Sequence, residues 1–145
     1  MQHLQELRVV ITAAASGLGS VIATTLSKNG SKVFICDNDK LALRKFSEKN
    51  PTINCFHADV SNESQMKEFF ENIKDQFKEI DVLINNAGIS GSSAKVEDFD
   101  FKDWKNTIKI NLNGTFLSTK LAIPLLKNKG GSIINMGSTS SFLGT

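Results

Sequence analysis

The stretch LRVVITAAASGLG, residues 7–19, places a short apolar run directly before a loop of small residues. Apolar runs of this length suit strands that are buried on both faces of a parallel sheet. From Gly17 to about Asn29 the apolar residues recur at helical spacing, and Gly30 is typical of the position just past a helix. The sequence therefore predicts a strand over residues 7–12 that turns through a small-residue loop into a helix.

The same alternation of strand and helix patterns continues along the chain. Further strands are predicted over Lys32–Asp37, Ile53–His57, Asp81–Ile84 and residues 132–136, the last as a buried strand. Further helices are predicted over Asp39–Lys49, from Asn62 to Phe77, and from about Asp103 to Lys127, where Pro124 marks either a kink or an earlier end. Parallel strands joined by right-handed helical crossovers satisfy this order, so we expect an α/β fold with a Rossmann-like doubly wound sheet.

Size and charge limit the classes of protein to which the chain can belong. The 145 residues suit one domain, and 17 basic against 15 acidic residues, well mixed, give a net charge of +2. This balance argues against a nucleic-acid or membrane-surface partner, and no apolar run approaches the roughly 18 residues of a membrane span. Cys36 and Cys55 match no metal-ligand spacing. We expect buried free thiols, no metal site and a cytoplasmic location.

In a doubly wound sheet, ligands bind outside the carboxyl ends of the strands. The first strand ends in residues 12–19, where small side chains let the backbone approach a pyrophosphate at the positive end of a helix. A tight turn without a ligand is the alternative. The predicted cofactor-binding residues here are Thr12, Ala13, Ser16, Gly17, Leu18 and Gly19.

The second strand ends at Asp37, 18 positions after Gly19. A carboxylate at this spacing can accept hydrogen bonds from both hydroxyls of an adenine ribose, and it would repel a 2′-phosphate. Neutral Asn38 follows it, and Ser16 rather than a cation precedes Gly17. The residues therefore favour NAD over NADP. In the alternative, Asp37 only begins a turn.

The remaining strand ends are also polar. Asp59 and Val60 follow the third strand, where a carboxylate and a backbone amide could contact adenine, although Asp59 could instead cap the next helix. The fourth strand runs into an Asn-Asn-Ala-Gly stretch, and the fifth ends in the hydroxyl cluster that contains Ser138. The predicted cofactor residues at these ends are Asp59, Val60, Asn86, Ala87 and Gly88.

Taken together, these residues resemble the short-chain dehydrogenase/reductase family. The family pattern Thr-Gly-x-x-x-Gly-x-Gly matches Thr12, Gly17 and Gly19, and its Asn-Asn-Ala-Gly motif matches residues 85–88 in full. The Asp-Val pair, an asparagine in the long helix and an Asn-x-Ser-Ser motif after the fifth strand also have counterparts here. Ala13 replaces the first family glycine, which would perturb the loop geometry and weaken dinucleotide binding, and Gly137 replaces the first serine.

The resemblance implies an oxidoreductase that moves hydride between NAD(H) and a small-molecule alcohol or carbonyl. It assigns catalytic roles to Ser138, which would bind the substrate oxygen, and to Asn111, which would support a proton-relay water. In the alternative, Asn111 is a helix residue hydrogen-bonded to nearby backbone and Ser138 is an ordinary turn hydroxyl. The family's Tyr-x-x-x-Lys pair has no counterpart, because the chain contains no tyrosine. We therefore expect a single domain, residues 1–145, that is the N-terminal cofactor-binding part of such an enzyme, truncated before its last strands.

A chain without the family's catalytic tyrosine should have negligible dehydrogenase activity by itself. A positioned acid of this kind typically raises the rate by a factor of ~10²–10⁴. A homo-oligomer is expected only for a full-length form. The alternative is a non-catalytic module that binds a dinucleotide or a protein partner.

Overall fold

The computed structural model describes residues 6–126 and 130–139. Its strands form one parallel sheet in the order β3-β2-β1-β4-β5. Their bounds are β1 Arg8–Thr12, β2 Lys32–Asp37, β3 Asn54–His57, β4 Val82–Asn85 and β5 Ser132–Asn135. The α/β, doubly wound prediction is confirmed. From β1 the chain adds β2 and β3 on one side of the sheet and then β4 and β5 on the other side. The crevice between the carboxyl ends of β1 and β4 is therefore the expected position of a ligand.

Helices alternate with these strands and agree closely with the sequence pattern. Their bounds are α1 Gly17–Lys28, α2 Lys40–Lys49, α3 Glu63–Phe77, α4 Phe101–Ile108 and α5 Thr115–Leu126. Side-chain caps explain several starts. Asp39 accepts hydrogen bonds from two amides of α2, and Asn62 accepts one from the amide of Gln65 in α3.

Two apolar layers cover the two faces of the sheet. Val9 and Ile11 of β1 lie in one layer with Ala23 of α1, while Val10 lies in the other with residues of α3 and α5. Successive side chains of a strand point to opposite faces, so the apolar run of residues 9–11 supplies both layers. Phe69 and Ile73 of α3 are fully buried in the second layer.

The long helix predicted from about Asp103 differs from the observed one. Helix α4 starts at Phe101, because the Asp100 side chain accepts hydrogen bonds from the amides of Lys102 and Asp103. A π-helical segment, Lys109–Gly114, then separates α4 from α5, which contains Pro124. The predicted end at Lys127 lies outside the described residues.

The fifth strand forms as predicted, but it is not buried. Ile133 and Ile134 are 38% and 46% exposed, and Met136 beyond them is 40% exposed. Within residues 6–126 and 130–139, β5 pairs with β4 alone, and α5 contacts it. β-branched residues favour the extended backbone of a strand, but they do not show whether other elements cover its two faces. The prediction of a buried fifth strand is therefore wrong.

Candidate functional site

The loop between β1 and α1 leaves the start of α1 open. The N-cap residue Ser16 makes no side-chain capping hydrogen bond, and the first turn carries no acidic residue. Gly17 has a left-handed φ of 53°, and a Cβ placed on it would meet no atom within 4 Å. Leu18 is 59% exposed. An uncapped helix start with free space in front of it fits a phosphate group, which the helix dipole and amide N–H groups attract.

Ala13 adopts the left-handed conformation at the position where the family has glycine. Its φ is 52°, so the methyl group is accommodated without loss of the glycine-like turn. A left-handed alanine costs about 1–2 kcal/mol relative to an ordinary backbone conformation. The loop geometry is therefore kept at the expense of local strain.

Hydrogen bonds between Thr12, at the end of β1, and Asn86, just after β4, join the ends of these two strands. The Thr12 hydroxyl accepts hydrogen bonds from the amides of Asn86 and Ala87, both at 3.1 Å, and it is 1% exposed. The Asn86 amide nitrogen donates to the carbonyl oxygens of Thr12 and Ala13, at 3.1 and 2.8 Å. A Cβ on Gly19 would lie 2.6 Å from that nitrogen, so glycine is needed for this close approach. These contacts hold the small-residue loop against the end of β4.

Asp37 joins the same loop to the end of β2. One carboxylate oxygen accepts from the amide of Ala15 at 2.9 Å, and the other accepts from the amide of Asp39 at 3.0 Å. A carboxylate offers about four acceptor positions, so these bonds leave room for two further donors. Asp37 is 7% exposed and lines the cleft, where ribose hydroxyls could supply those donors.

Asp59 organises the turn that follows β3 and does not cap α3. One of its oxygens accepts from both the amide and the hydroxyl of Ser61, each at 2.8 Å. Its own amide donates to the Gln65 side chain at 2.8 Å. Val60 is buried, and a Cβ on Gly114 would lie 2.8 Å from its side chain, so the π-helical segment packs closely against this turn.

A cleft of about 120 Å3 brings several of the predicted residues together. The predicted cofactor residues that line it are Ala13, Asp37, Asp59, Val60, Ala87 and Gly88. The cleft is also lined by four residues that were not predicted from the sequence to bind the cofactor, although each neighbours a predicted site residue: Asn38, Ala58, Ile89 and Ile110. Thr12, Gly19 and Asn86 support the adjoining loop, while Ser16, Gly17 and Leu18 form the open helix start.

Asn111 lies in the π-helical segment and clamps the loop after β4. Its side chain donates to the carbonyl oxygen of Ile89 at 2.8 Å and accepts from the Ile89 amide at 2.9 Å. Its own carbonyl oxygen accepts from the Thr115 hydroxyl at 2.8 Å. Because both polar groups of the side chain are engaged with the backbone, Asn111 is a positioning residue for the wall of the cleft.

Ser138 lies beyond β5 at the same edge of the sheet and is exposed. The end of that strand is fixed by Asn85, which sequence reasoning did not choose as a functional residue. The Asn85 amide nitrogen donates to the Asn135 side chain at 2.8 Å and to the Thr119 hydroxyl at 3.1 Å. The Asn85 side chain of β4 therefore contacts both β5 and α5, and its partner Asn135 lies three residues before Ser138.

The two thiols differ in burial. Cys36 is fully buried, and burial raises the pKa of its thiol to about 12, whereas half-buried Cys55 has a pKa raised by burial to about 11. The prediction of buried thiols is thus right for Cys36 only. In the described part of the chain, no three His, Cys, Asp or Glu side chains form a group that could hold a metal ion. Over those residues, no helix is long and apolar enough to cross a membrane.

Comparison with known proteins finds oxidoreductases and dehydrogenases. The family model for short chain dehydrogenases matches residues 8–145. An uncharacterized oxidoreductase of Bacillus subtilis, YxbG, is 37% identical, with 97% of this chain and 53% of the relative covered. A 3beta-hydroxysteroid dehydrogenase of Mediterraneibacter gnavus is 30% identical, with 99% and 54% covered. The chain spans about half the length of these curated relatives.

A solved structure agrees with the sequence comparisons. The aldohexose dehydrogenase of Thermoplasma acidophilum superposes with a TM-score of 0.87 at 30% identity, covering 99% of this chain and 53% of that one. The residues that match the family model, 8–145, include all five strands of the sheet. The chain therefore belongs to the short chain dehydrogenase family.

Proposed function

We propose that the protein is an NAD(H)-dependent oxidoreductase and that this chain forms its cofactor-binding part. Membership of the family implies a nicotinamide dinucleotide and a small-molecule substrate. When bound, the nicotinamide would accept or donate the hydride, and the substrate would be an alcohol or a carbonyl compound. The chain's own residues would bind and orient the dinucleotide along the carboxyl ends of β1 to β4.

The observation that carries this proposal is the junction of an open helix start with a buried carboxylate. Gly17 and Leu18 at the start of α1 would face the pyrophosphate, while Asp37 would accept hydrogen bonds from the adenosine ribose. Asp37 contacts the backbone of the same loop through Ala15, so the two recognition elements are held at a fixed separation. Preorganised groups of this kind reduce the entropy lost when a ligand binds.

The choice of NAD over NADP follows from charge. Among the residues that the structure describes, those that line the cleft include the carboxylates of Asp37 and Asp59 and no Lys or Arg side chain. A 2′-phosphate would bring negative charge next to these carboxylates without a cation to offset it. The free thiols of Cys36 and Cys55 support the further proposal of a reducing, cytoplasmic compartment.

Calorimetric titration with NADH and NADPH at matched ionic strength tests the proposal. We expect saturable binding of NADH and weaker binding of NADPH. In Asp37→Asn, NADH affinity should fall about tenfold or more, since a hydrogen bond to a charged group is worth ~1.5–3 kcal/mol. The ratio of NADH to NADPH affinity should shrink. Asp75→Asn, which removes an exposed carboxylate on α3, is the matched control and should leave both affinities unchanged.

The outcomes separate the two parts of the proposal. Tighter binding of NADPH than NADH would overturn the role given to Asp37. No measurable binding of either dinucleotide, in protein whose circular dichroism shows a folded α/β domain, would overturn the proposal as a whole.

A further inference from the structure

The turn that carries Asp37 is held from the neighbouring strand by a histidine. The carbonyl oxygen of Asn38 accepts a hydrogen bond from Nε2 of His57, at a distance of 3.2 Å. A carbonyl oxygen can only accept, so Nε2 is the ring nitrogen that carries the hydrogen in this contact. The pairing of β2 with β3 sets Asp37 opposite His57. The register of the two strands therefore brings the imidazole ring to the turn.

The peptide group between Asn38 and Asp39 connects this hydrogen bond to the Asp37 carboxylate. Its carbonyl oxygen accepts from His57, and its N–H, which is the Asp39 amide, donates to Oδ1 of Asp37 at 3.0 Å. The peptide is planar and trans, so its C=O and N–H point in opposite directions from one rigid plane. Fixing the direction of the carbonyl therefore fixes the direction of the amide that holds the carboxylate.

The other hydrogen bonds of the turn do not set this peptide plane. The Ala58 amide donates to the carbonyl oxygen of Asp37 at 3.1 Å, which holds the preceding peptide group. The Asp39 side chain accepts from two amides of α2, each at 2.9 Å, which holds a carboxylate and not the backbone. Asn38 and Asp39 are exposed, so water can replace a lost partner there and let the peptide rotate. The contact with His57 is thus the link that orients the plane.

His57 reaches the turn from outside the cofactor cleft. With Lys40 and Arg44 of α2 it lines a separate groove of about 450 Å3 beside β3. Asn38 lines the cleft, and in the described part of the chain His57 is not among the residues that do so. The imidazole ring would therefore act on a bound cofactor through the turn and not by direct contact.

We propose that His57 is a positioning residue for the cofactor, which holds the Asn38–Asp39 peptide so that Asp37 presents its carboxylate to the adenosine ribose. This inference rests on the proposed binding of NAD(H). Hydrogen bonds in series polarise one another, so the contact with His57 also strengthens the bond from the Asp39 amide to the carboxylate. Loss of the imidazole should reduce the part of the affinity that comes from the ribose hydroxyls and spare the part that comes from the pyrophosphate.

Three replacements of His57 separate its hydrogen bond from the bulk of its ring. His57→Leu removes the donor. His57→Gln places an amide nitrogen about as far along the side chain as Nε2, so it can donate to the same carbonyl oxygen. His57→Asn carries an amide that is too short to reach, so it is a second variant that loses the bond. Asn54→Leu, at an exposed residue of the same strand, is the matched control.

The first measurement is calorimetric titration with NADH and with the NADH analogue that lacks the adenosine 2′-hydroxyl. The unmodified protein should bind NADH about tenfold or more tightly than the analogue, since a hydrogen bond to a carboxylate is lost. His57→Leu and His57→Asn should weaken NADH binding about two- to tenfold and affect the analogue less, so the ratio of the two affinities falls. His57→Gln should restore this ratio and Asn54→Leu should keep it. General destabilisation would weaken both ligands alike and leave the ratio unchanged.

The second measurement needs no ligand. Hydrogen exchange of the Asp39 amide, followed by nuclear magnetic resonance, reports directly on the bond to the Asp37 carboxylate. We expect exchange about two- to tenfold faster in His57→Leu and His57→Asn than in the unmodified protein. The rate in His57→Gln and in Asn54→Leu should match that of the unmodified protein.

Failure of this inference can be told apart from failure of the proposed function. If both loss variants keep the ratio of affinities, or keep the exchange rate of the Asp39 amide, the positioning role is overturned and the proposed binding of NAD(H) stands. If His57→Gln behaves like His57→Leu, the hydrogen bond is not the cause and the role is overturned as well. If the folded, unmodified protein binds no dinucleotide, the oxidoreductase proposal fails and the cofactor role of His57 falls with it.

Discussion

The side chain of Asn111 and the backbone of Ile89 form a reciprocal pair of hydrogen bonds, at 2.8 and 2.9 Å. The pair joins the π-helical segment to the loop after β4, beside Ile110 and at Ile89, which both line the cofactor cleft. The two residues are 22 positions apart. A side chain used in this way affects chemistry by placing other groups, so its replacement should first change the local structure.

Asn111→Ala should loosen that wall of the cleft. Loss of two hydrogen bonds, each worth ~0.5–1.5 kcal/mol, should lower the protection of the Ile89 amide against hydrogen exchange by about tenfold or more. Exchange of that amide, followed by nuclear magnetic resonance, is the measurement. Asn106→Ala, at an exposed residue of α4, should leave it unchanged. Unchanged exchange at Ile89 in Asn111→Ala would contradict the positioning role.

Ala13→Gly should stabilise the protein. It relieves about 1–2 kcal/mol of left-handed strain and gives back ~0.4–1 kcal/mol through the greater entropy of the unfolded chain. The expected gain in the free energy of unfolding is about 0.5–1 kcal/mol, measured by urea denaturation. Ala15→Gly, in the same loop without a left-handed φ, should instead lose stability. A loss in both variants would show that the Ala13 turn is unstrained.

Thr12→Val should destabilise the fold. The hydroxyl is the acceptor for two backbone amides at the end of β4, and burying an amide without a partner costs ~1–3 kcal/mol. We expect a loss of about 2 kcal/mol in urea denaturation. Thr12→Ser keeps the hydroxyl and removes only a methyl group, so it should lose less. A valine variant as stable as the serine variant would exclude the hydroxyl as a structural link.

The stability of the protein should fall at alkaline pH in part because of Cys36. Its thiol has an ordinary pKa of 9.0 and, when buried, a pKa of about 12. Between these values the unfolded chain has lost a proton that the folded chain keeps, so the free energy of unfolding decreases as pH rises. The contribution is fully present below pH 9.0 and is lost toward pH 12.

Measurement of the free energy of unfolding from pH 8 to pH 10 checks this sign. At pH 10 the fall due to this thiol should be about 1.4 kcal/mol, the equivalent of one pKa unit. Cys36→Ala starts from a lower stability, because a buried group is lost, but its curve should fall less steeply over this range. Curves of equal slope for the two proteins would contradict the assignment to Cys36.

Much of the fold was predictable because it depends on local pattern. The alternating apolar runs indicated five strands, and Asn62 and Asp39 marked helix starts that their side chains do cap. The boundaries that moved did so through contacts that the periodicity does not contain. Capping by Asp100 starts α4 earlier than predicted, and the π-helical segment interrupts a pattern that otherwise continues.

The sequence by itself determined the parallel α/β fold and the polar residues at each strand end, because side-chain periodicity and turn chemistry act over a few neighbouring residues. Only the tertiary structure decided what those residues contact. Asn86 meets the loop at Ala13 across 73 positions, and the exposure of Ile133 depends on which elements lie over β5. Such partnerships follow from the order of strands in the sheet, which brings distant segments together and which no local pattern records.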